Sequence, residues 1–302
     1  MVAILGLTWG GTFLVIELAL QGITPLWLAA ARISFGTNLT GAVWLARGGV
    51  LFTRPPTSAQ KANLVFIAVL SSAVPFMLLS WGQQFVTSGF AGVSMASVAL
   101  IVLPMAHFLV PGERMTLRRL AGFLIGFAGV VLLIGAKAFE STGAALEMPG
   151  RLACVGAAAC YAISSVQMRR LPSVDPVGLS ALLLAIGALF VIPVAWVVEG
   201  PPPTPDARTL MWVAFLGLVP TAAANLLRVT LVRTAGPVFL SLVNYQVPVW
   251  SVLLGALILG EVLAPSMIWA MLLIMAGVAL SQYGALLRLF SPRDPKNFRE
   301  NS

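Results

Sequence analysis

Two charged residues lie within apolar stretches of the sequence, Glu17 in the first stretch and Arg32 in the second. A charge on an apolar helix is costly unless it is paired or faces water, so each is a candidate for a specific role. The turn between the stretches, around Gln21 to Pro25, is short, which places both charges at a similar depth of roughly 7–10 Å at 1.5 Å per residue. Two interpretations stay open: a structural ion pair between antiparallel helices, or cavity charges that bind a substrate or a proton.

Uncharged polar side chains form a second candidate set, which is densest in the second half of the chain. Such groups can hydrogen-bond neighbouring helices within a bilayer, or they can contact a polar substrate. Pro248 lies beside the densest group and frees a backbone carbonyl, and irregular backbone at membrane depth is tolerated where it lines a cavity. The polar candidates are Tyr161, Ser165, Asn225, Asn244, Tyr245 and Gln246, with Ser94 and Ser97 as weaker counterparts in the first half.

Aromatic residues in the middle of apolar stretches are a third candidate set. Tryptophans near the ends of such stretches fit the aromatic belts at membrane–water interfaces, but a belt does not explain Trp9 or Trp250. With Phe13, they either pack helices together or form the apolar wall of a cavity. An aromatic amino acid needs such a wall, together with polar partners for its ammonium and carboxylate groups.

Catalytic constellations are absent from the sequence. His107, the single histidine, lies near the end of the fourth apolar stretch, where it could titrate near neutral pH or serve a structural role. There is no His-Glu-x-x-His pattern, and Asp175, Asp206 and Asp294 all lie outside the apolar stretches. We therefore expect no catalytic residue, no metal and no cofactor, and a membrane-embedded enzyme is only a distant alternative.

The elements that must position these residues are apolar helices. Of the 302 residues, 59% are apolar and only 9% are charged, which is too few charges for a water-soluble surface. A span of about 20 apolar residues crosses a hydrocarbon core of about 30 Å. Ten such spans are predicted, at 3–20, 26–46, 62–82, 89–110, 118–136, 150–168, 176–197, 209–230, 236–260 and 266–287.

The distribution of Lys and Arg predicts the orientation of the spans. With a cytoplasmic N-terminus, fourteen of the 18 basic residues fall in the cytoplasmic loops and tail, whereas only Lys137, Arg151 and Arg208 fall outside. This bias favours both termini in the cytoplasm. The same distribution explains the net charge of +8 without a nucleic-acid partner.

An internal repeat divides the chain into two halves. Glu113 is followed sixteen residues later by Gly129, and Glu261 is followed sixteen residues later by Gly277. The sequence therefore predicts an all-α integral membrane protein with ten transmembrane helices as two inverted five-helix repeats, 1–136 and 150–287, and a cytoplasmic tail, 288–302. Inverted repeats are a recurring transporter architecture in which the substrate site lies between the halves. The mid-span prolines Pro75 and Pro220 correspond and are candidate hinges.

Several short motifs, in order and duplicated, resemble the EamA family of the drug/metabolite transporter superfamily over nearly the whole chain. The resemblance extends to bacterial exporters linked to aromatic amino acids, and it implies a cavity lined by helices 1–4 and 6–9, with helices 5 and 10 as peripheral scaffold. Two departures are Glu17, where members often have Lys, and Pro104, five residues beyond the usual proline position. The motifs are Trp9-Gly10-Gly11-Thr12-Phe13, Ala30-Ala31-Arg32, Ser80-Trp81-Gly82-Gln83-Gln84, Thr87-Ser88-Gly89, Ala106-His107-Phe108, Glu113-Arg114-Met115-Thr116, Gly122 to Leu133 and Leu259-Gly260-Glu261.

The expected function is a secondary transporter in the bacterial inner membrane that exports small metabolites, amino acids including aromatic ones in particular, by alternating access. Export of quaternary amines, drugs or other metabolites is the alternative. The expected partners are the lipid bilayer and a small-molecule substrate. Gly122 and Gly126, spaced as Gly-x-x-x-Gly, permit close helix approach and are a candidate homodimer face.

Overall fold

The computed structural model describes residues 2–52, 56–109, 115–135, 146–168, 171, 174–227, 237–281 and 283. Glu113, the tail 288–302 and the side chains of Asn244 and Tyr245 lie outside the described residues. Within them the chain forms ten helices, α1 to α10, and no β-strand. The helices are Val2–Ala19, Pro25–Ala46, Ser58–Gly82, Ser88–Leu109, Leu117–Gly135, Glu147–Met168, Pro176–Glu199, Ala207–Leu227, Pro237–Leu259 and Pro265–Ser281.

The outer surface of the helices is apolar. Within the described residues, four helices, α3, α4, α7 and α8, are long and apolar enough to cross a membrane. Shorter apolar helices lie at Ala3–Ala19, Gln246–Leu259 and Pro265–Ser281. Large side chains such as Phe108, Trp196, Val197, Leu257 and Trp269 are exposed. Exposed apolar side chains in such number are unfavourable in water and favourable against lipid tails.

The helix starts follow from local sequence. Thr57 and Gln60 form a reciprocal capping box at α3, Thr87 caps α4, and Asp175 caps α7. Asp206 caps α8, and hydrogen bonds from the side chain and the backbone N–H of Thr209 lower the pKa of this carboxyl. These caps satisfy N–H groups that have no partner within a helix.

The helices pack mainly across the two halves of the chain. Helix α1 packs on α9, and its equivalent in the second half, α6, packs on α4. Likewise, α2 packs on α8, and its equivalent α7 packs on α3. The equivalent helices also pack on each other, α2 on α7, α4 on α9, and α5 on α10. These main packing pairs are therefore reproduced when helices 1–5 and 6–10 are exchanged.

Helices α5 and α10 pack through glycines. A methyl group on Gly122 would lie 2.5 Å from the carbonyl oxygen of Gly277 and 2.6 Å from the backbone nitrogen of Ser281. A methyl group on Gly277 would lie 2.6 Å from the Cα of Gly126. The close approach that we expected these glycines to provide is thus used within the chain, so the candidate homodimer face is already covered by α10.

Two helices contain π-helical turns, in which the backbone hydrogen bonds skip one residue further than in an α-helix. They lie at Val69–Ala73 in α3, directly before Pro75, and at Gly217–Ala223 in α8, around Pro220. Proline lacks an N–H and disrupts the i to i−4 bond, so both irregular turns coincide with the mid-helix prolines. The two turns occupy corresponding helices of the two halves.

Candidate substrate site

The expected ion pair between Glu17 and Arg32 is not formed. Although α1 and α2 are consecutive, α1 packs mainly on α9 and α8, whereas α2 packs mainly on α7 and α8. The Nε of Arg32 donates to the Oγ1 of Thr221, at 2.8 Å, instead. The Oε2 of Glu17 is buried and has no hydrogen-bond partner among the described residues. The pairing was inferred from a short connection, but a short connection does not make two helices pack side by side.

The guanidinium group of Arg32 is held on two sides. Its Cζ lies 4.1 Å from the centroid of the Phe76 ring on α3, a cation–π contact, and its side chain is only 6% exposed. Tyr161 on α6 packs against the same buried cluster as Phe76. Arg32 thus joins α2 to α3 and α8.

Thr221 has a second role in the π-helical turn of α8. Its hydroxyl donates to the carbonyl of Leu216, at 2.8 Å. Pro220 cannot donate to that carbonyl because it has no N–H. The hydroxyl that receives the Arg32 hydrogen bond therefore also bonds the carbonyl that Pro220 cannot, so the guanidinium is tied to the irregular turn.

Trp9 approaches the same turn from α1. Its indole Nε1 donates to the carbonyl of Pro220, at 3.1 Å. Pro220 and Thr221 are adjacent, so the indole of α1 and the guanidinium of α2 meet at one turn of α8. We call Trp9, Arg32, Phe76, Tyr161 and Thr221 the central cluster.

Helices α1 and α9 approach closely beside this cluster. A methyl group on Gly6 would lie 2.7 Å from the Cβ of Gln246, and one on Gly10 would lie 2.5 Å from the Cβ of Trp250. The indole Nε1 of Trp250 donates to the Oε1 of Gln246, at 3.4 Å. Gln246, Trp250 and Trp9 are each partly buried.

Phe13 is 5% exposed and packs in the core of the molecule. Its backbone carbonyl accepts a hydrogen bond from the Nε2 of Gln83, at 2.9 Å. Gln83 is buried and was not among the site candidates, although it belongs to the motif at residues 80–84. A glutamine within that apolar stretch is the signal that could have identified it.

Most of the predicted serine and asparagine contacts join helices or close helical turns. Ser94 donates to the carbonyl of Phe90, and Ser165, which is exposed, donates to the carbonyl of Tyr161. The amide of Asn225 donates to the Oγ of Ser180 on α7, at 3.1 Å. Ser97 differs, because its buried Oγ has no hydrogen-bond partner among the described residues.

Two acidic side chains cap helices of the opposite half. Glu199, at the end of α7, accepts hydrogen bonds from the backbone N–H groups of Leu26 and Trp27 at the start of α2, at 2.9 and 3.1 Å. Glu261 accepts from the backbone N–H groups of Ser88 and Gly89 at the start of α4, at 2.7 and 3.0 Å. Each carboxylate stabilises the positive end of a helix dipole and ties the two halves together.

His107 lies away from the central cluster. It is exposed near the end of α4, where its Nδ1 accepts a hydrogen bond from the backbone N–H of Met115, at 3.2 Å. This contact connects the end of α4 to the segment before α5. No group of three or more His, Cys, Asp or Glu side chains arranged to hold a metal occurs in the described part of the chain.

The two halves of the chain each match one family model. The model of the EamA-like transporter family matches residues 1–135 and 148–283. The chain belongs to the EamA-like transporter family. It is therefore an integral membrane transporter and not an enzyme, and the family resemblance of the short motifs is confirmed.

Named relatives fit this membership. The chain is 28% identical to the uncharacterized inner membrane transporter YedA of Escherichia coli K12, over 92% of this chain and 88% of YedA. It is 30% identical to the aromatic amino acid exporter YddG of Ancylobacter novellus, over 60% of this chain and 62% of YddG, which is under two thirds of that protein. A crystal structure with 23% identity covers 94% of this chain and 98% of the other with a TM-score of 0.64, a likeness of fold.

Proposed function

We propose that this transporter exports small metabolites, in particular amino acids including aromatic ones, by alternating access. The observation that supports this most directly is the central cluster, where the buried guanidinium of Arg32, the indole of Trp9 and the ring of Phe76 come together at an irregular turn of α8. Such a site offers a cation for a carboxylate and an apolar wall for a side chain. The name of YddG, an aromatic amino acid exporter, adds support from a relative.

The proposed architecture is ten transmembrane helices in two inverted five-helix repeats, residues 1–136 and 150–287. The exchange symmetry of the helix packing supports it, as does the match of one family model to each half. An odd number of spans per half inverts the second half relative to the first. The substrate site then lies where the halves meet, as in other transporters with inverted repeats.

The proposed motion is a bend of α3 near Pro75 and of α8 near Pro220. A π-helical turn has weaker backbone pairing than an α-helix and is a recognised functional irregularity. Each turn packs against the opposite half, Val69–Ala73 against α7 and Gly217–Ala223 against α2. Bending at these turns changes the gap between the halves without breaking the helices elsewhere.

The proposed substrate contacts differ in whether each side chain lies near the central cluster and whether its polar group already has a hydrogen-bond partner. Trp9, Tyr161, Gln246 and Trp250 lie at or beside the central cluster, and Ser97 has an unused hydroxyl. Phe13 contributes to the apolar core next to them. Asn244 and Tyr245 remain proposals from the sequence, whereas Ser94, Ser165 and Asn225 would have to exchange existing hydrogen bonds to reach a substrate.

The test is counterflow in proteoliposomes that contain the purified full-length protein. Vesicles are loaded with an unlabelled compound, and uptake of the same labelled compound is measured for amino acids, sugars and quaternary amines. We expect uptake of phenylalanine, tryptophan or leucine above that of protein-free vesicles. Uptake of quaternary amines without any amino acid would contradict the amino acid proposal and leave the transporter assignment intact.

Export of quaternary amines is the second candidate function, and Glu17 is the observation that favours it. Its buried Oε2 has no hydrogen-bond partner among the described residues. A bound cation or a proton would offset the cost of burying that oxygen without a partner. Glu17 is therefore the proposed site of coupling to protons in an amino acid exporter, or of cation binding in an amine exporter, whereas His107 lies outside this region.

The proposed location is the bacterial inner membrane with both termini in the cytoplasm. The inner membrane is named for YedA, and the orientation follows from the distribution of Lys and Arg. A homodimer would need a face other than Gly122 and Gly126, which pack on α10.

A further inference from the structure

We propose that Arg32 anchors an acidic group of the substrate through the two terminal amino groups of its guanidinium, so that the transported compounds carry a carboxylate. This inference rests on the proposed function and narrows its substrate class. Arg32 lies seven residues, or about 10 Å, into α2 from Pro25, at a depth where an unpaired charge is costly.

The guanidinium has unused hydrogen-bond donors. Its Nε donates to Thr221, and no described residue accepts a hydrogen bond from either terminal amino group. No described carboxylate forms an ion pair with Arg32. A buried cation without a counter-ion is strongly unfavourable, and an anion that enters the site would remove that penalty.

Arg151 provides a contrast within the same chain. It is also buried, at 3% exposed, and it lies near the aromatic ring of Phe90, 5.7 Å from the ring centroid. Unlike Arg32, it forms an ion pair with Glu147, one helical turn earlier. Among the described residues, a carboxylate pairs with Arg151 and none pairs with Arg32, which belongs to the central cluster.

The surroundings of Arg32 hold the guanidinium in a fixed orientation. Thr221 occupies the Nε side, and the ring of Phe76 covers one face. A carboxylate can then bind end-on, through two parallel N–H···O bonds from the terminal amino groups. Lysine cannot reproduce this fork because its ammonium is a point charge.

The site as a whole fits an aromatic amino acid better than a simple cation. Tyr161 packs against the same buried cluster as Phe76, the ring that covers the guanidinium. Trp9, bonded to the residue next to Thr221, offers an apolar surface for a side chain. A quaternary amine without an acidic group would meet the positive charge of Arg32, which disfavours it.

The experiment uses counterflow of labelled phenylalanine with the full-length protein in proteoliposomes, and competition by unlabelled phenylalanine and phenylalaninamide, which lacks the carboxylate. We expect the acid to compete about tenfold better than the amide in the wild type, because a charge-assisted bidentate pair is lost with the amide. Arg32→Gln should abolish phenylalanine flux, and Arg32→Lys should keep part of the flux while its preference for the acid falls. Arg151→Gln is the matched control and should retain that preference.

Each outcome bears on the proposal. Equal competition by acid and amide in the wild type overturns the role of Arg32, even if both variants fail to fold, and leaves amino acid transport standing. A folded Arg32→Gln protein with undiminished phenylalanine flux overturns it as well. Flux of quaternary amines with no flux of any amino acid overturns the proposed substrate and this inference together.

Discussion

At the scale of single residues, the carboxylates that close the ends of helices are as informative as the central cluster. Glu199 and Glu261 each reach from one half of the chain to the N-terminus of a helix in the other half. Neither contact follows from local sequence, because the capped helix is more than 170 positions away. Their chemistry is nevertheless simple, since a carboxylate accepts from two N–H groups that no helical carbonyl can reach.

Replacement of Glu199 by glutamine should lower stability. The variant keeps one acceptor oxygen but loses the charge that favours the helix N-terminus, a change of about 1 kcal/mol. We expect the unfolding temperature of the purified protein to fall by about 2–4 °C. Arg208→Gln is the control, because Arg208 is exposed at the start of the next helix, α8, and its replacement should not change the unfolding temperature. An unchanged unfolding temperature for Glu199→Gln would show that the cap contributes little.

At the scale of helices, the close approach of α1 and α9 is set by the absence of side chains on Gly6 and Gly10. Any Cβ at these positions would overlap Gln246 or Trp250, which are among the proposed substrate contacts. The position of both side chains relative to the central cluster therefore depends on glycines of the neighbouring helix. Association of helices in a bilayer relies on such close packing, because lipid tails are as apolar as the helices themselves.

Substitution of Gly10 by alanine should separate α1 from α9. The new methyl group would lie 2.5 Å from the Cβ of Trp250 and 3.0 Å from the carbonyl oxygen of Val247, so backbone must move. Such overpacking costs about 1–3 kcal/mol, and we expect a lower unfolding temperature together with reduced phenylalanine flux. Gly41→Ala is the matched control, because nothing lies within 4 Å of a methyl group there. A helical alanine in open space should be neutral or stabilising by up to about 1 kcal/mol.

Helices α3 and α8 owe their proposed mobility to their π-helical turns, and Pro220→Ala tests this. An alanine can donate an N–H to the carbonyl of Leu216, which competes with the hydroxyl of Thr221 and favours a regular helix. We expect the variant to be at least as stable as the wild type but to transport more slowly. Turnover should fall about fivefold for each ~1 kcal/mol added to the free-energy barrier of the conformational change. Pro193→Ala, in α7, is a mid-helix control outside the π-helical turns. Faster or unchanged counterflow in Pro220→Ala would contradict the hinge.

At the scale of the whole molecule, several contacts bring the start of one helix beside the end of a helix from the other half of the chain. The start of α2 lies beside the end of α7, and the end of α3 lies beside the start of α6, where a methyl group on Gly82 would lie 2.9 Å from the carbonyl oxygen of Gly150. At the opposite end, the segment after α2 meets the segment before α7, where Arg47 and Asp175 form an ion pair at 3.7 Å. These contacts are consistent with helices that alternate in direction across the membrane.

The orientation of the helices in the membrane is testable by labelling in intact cells. In a background with Cys154→Ala and Cys160→Ala, a membrane-impermeant maleimide should modify Pro202→Cys, in the connection between α7 and α8. It should not modify Ala59→Cys, near the start of α3, until the cells are permeabilised. Cysteines at Thr142 and Asn301, outside the described residues, should behave like those at 202 and 59 respectively. The reverse pattern would invert the topology and the charge argument behind it.

Much of the fold could be derived from the sequence. The helices of the described residues begin within four residues of predicted spans, with Ser58 in place of residue 62 as the largest difference. Apolar length alone identifies a helix in lipid, because every backbone group must be satisfied within the segment. The sequence also predicts the irregular turns at the two mid-helix prolines and the family membership, because proline chemistry and ordered motifs are local features.

The partners of individual side chains were decided only by the tertiary structure. Glu17 is a candidate partner of Arg32 because the two lie near one turn of the chain, yet Arg32 bonds Thr221, which is 189 positions away. Gly122 is a candidate for contact between molecules, yet it packs on α10. In both cases the sequence determines which groups need a partner, whereas the interleaving of the two halves determines which partner is near. That interleaving depends on the packing of many helices at once, and no local pattern of residues encodes it.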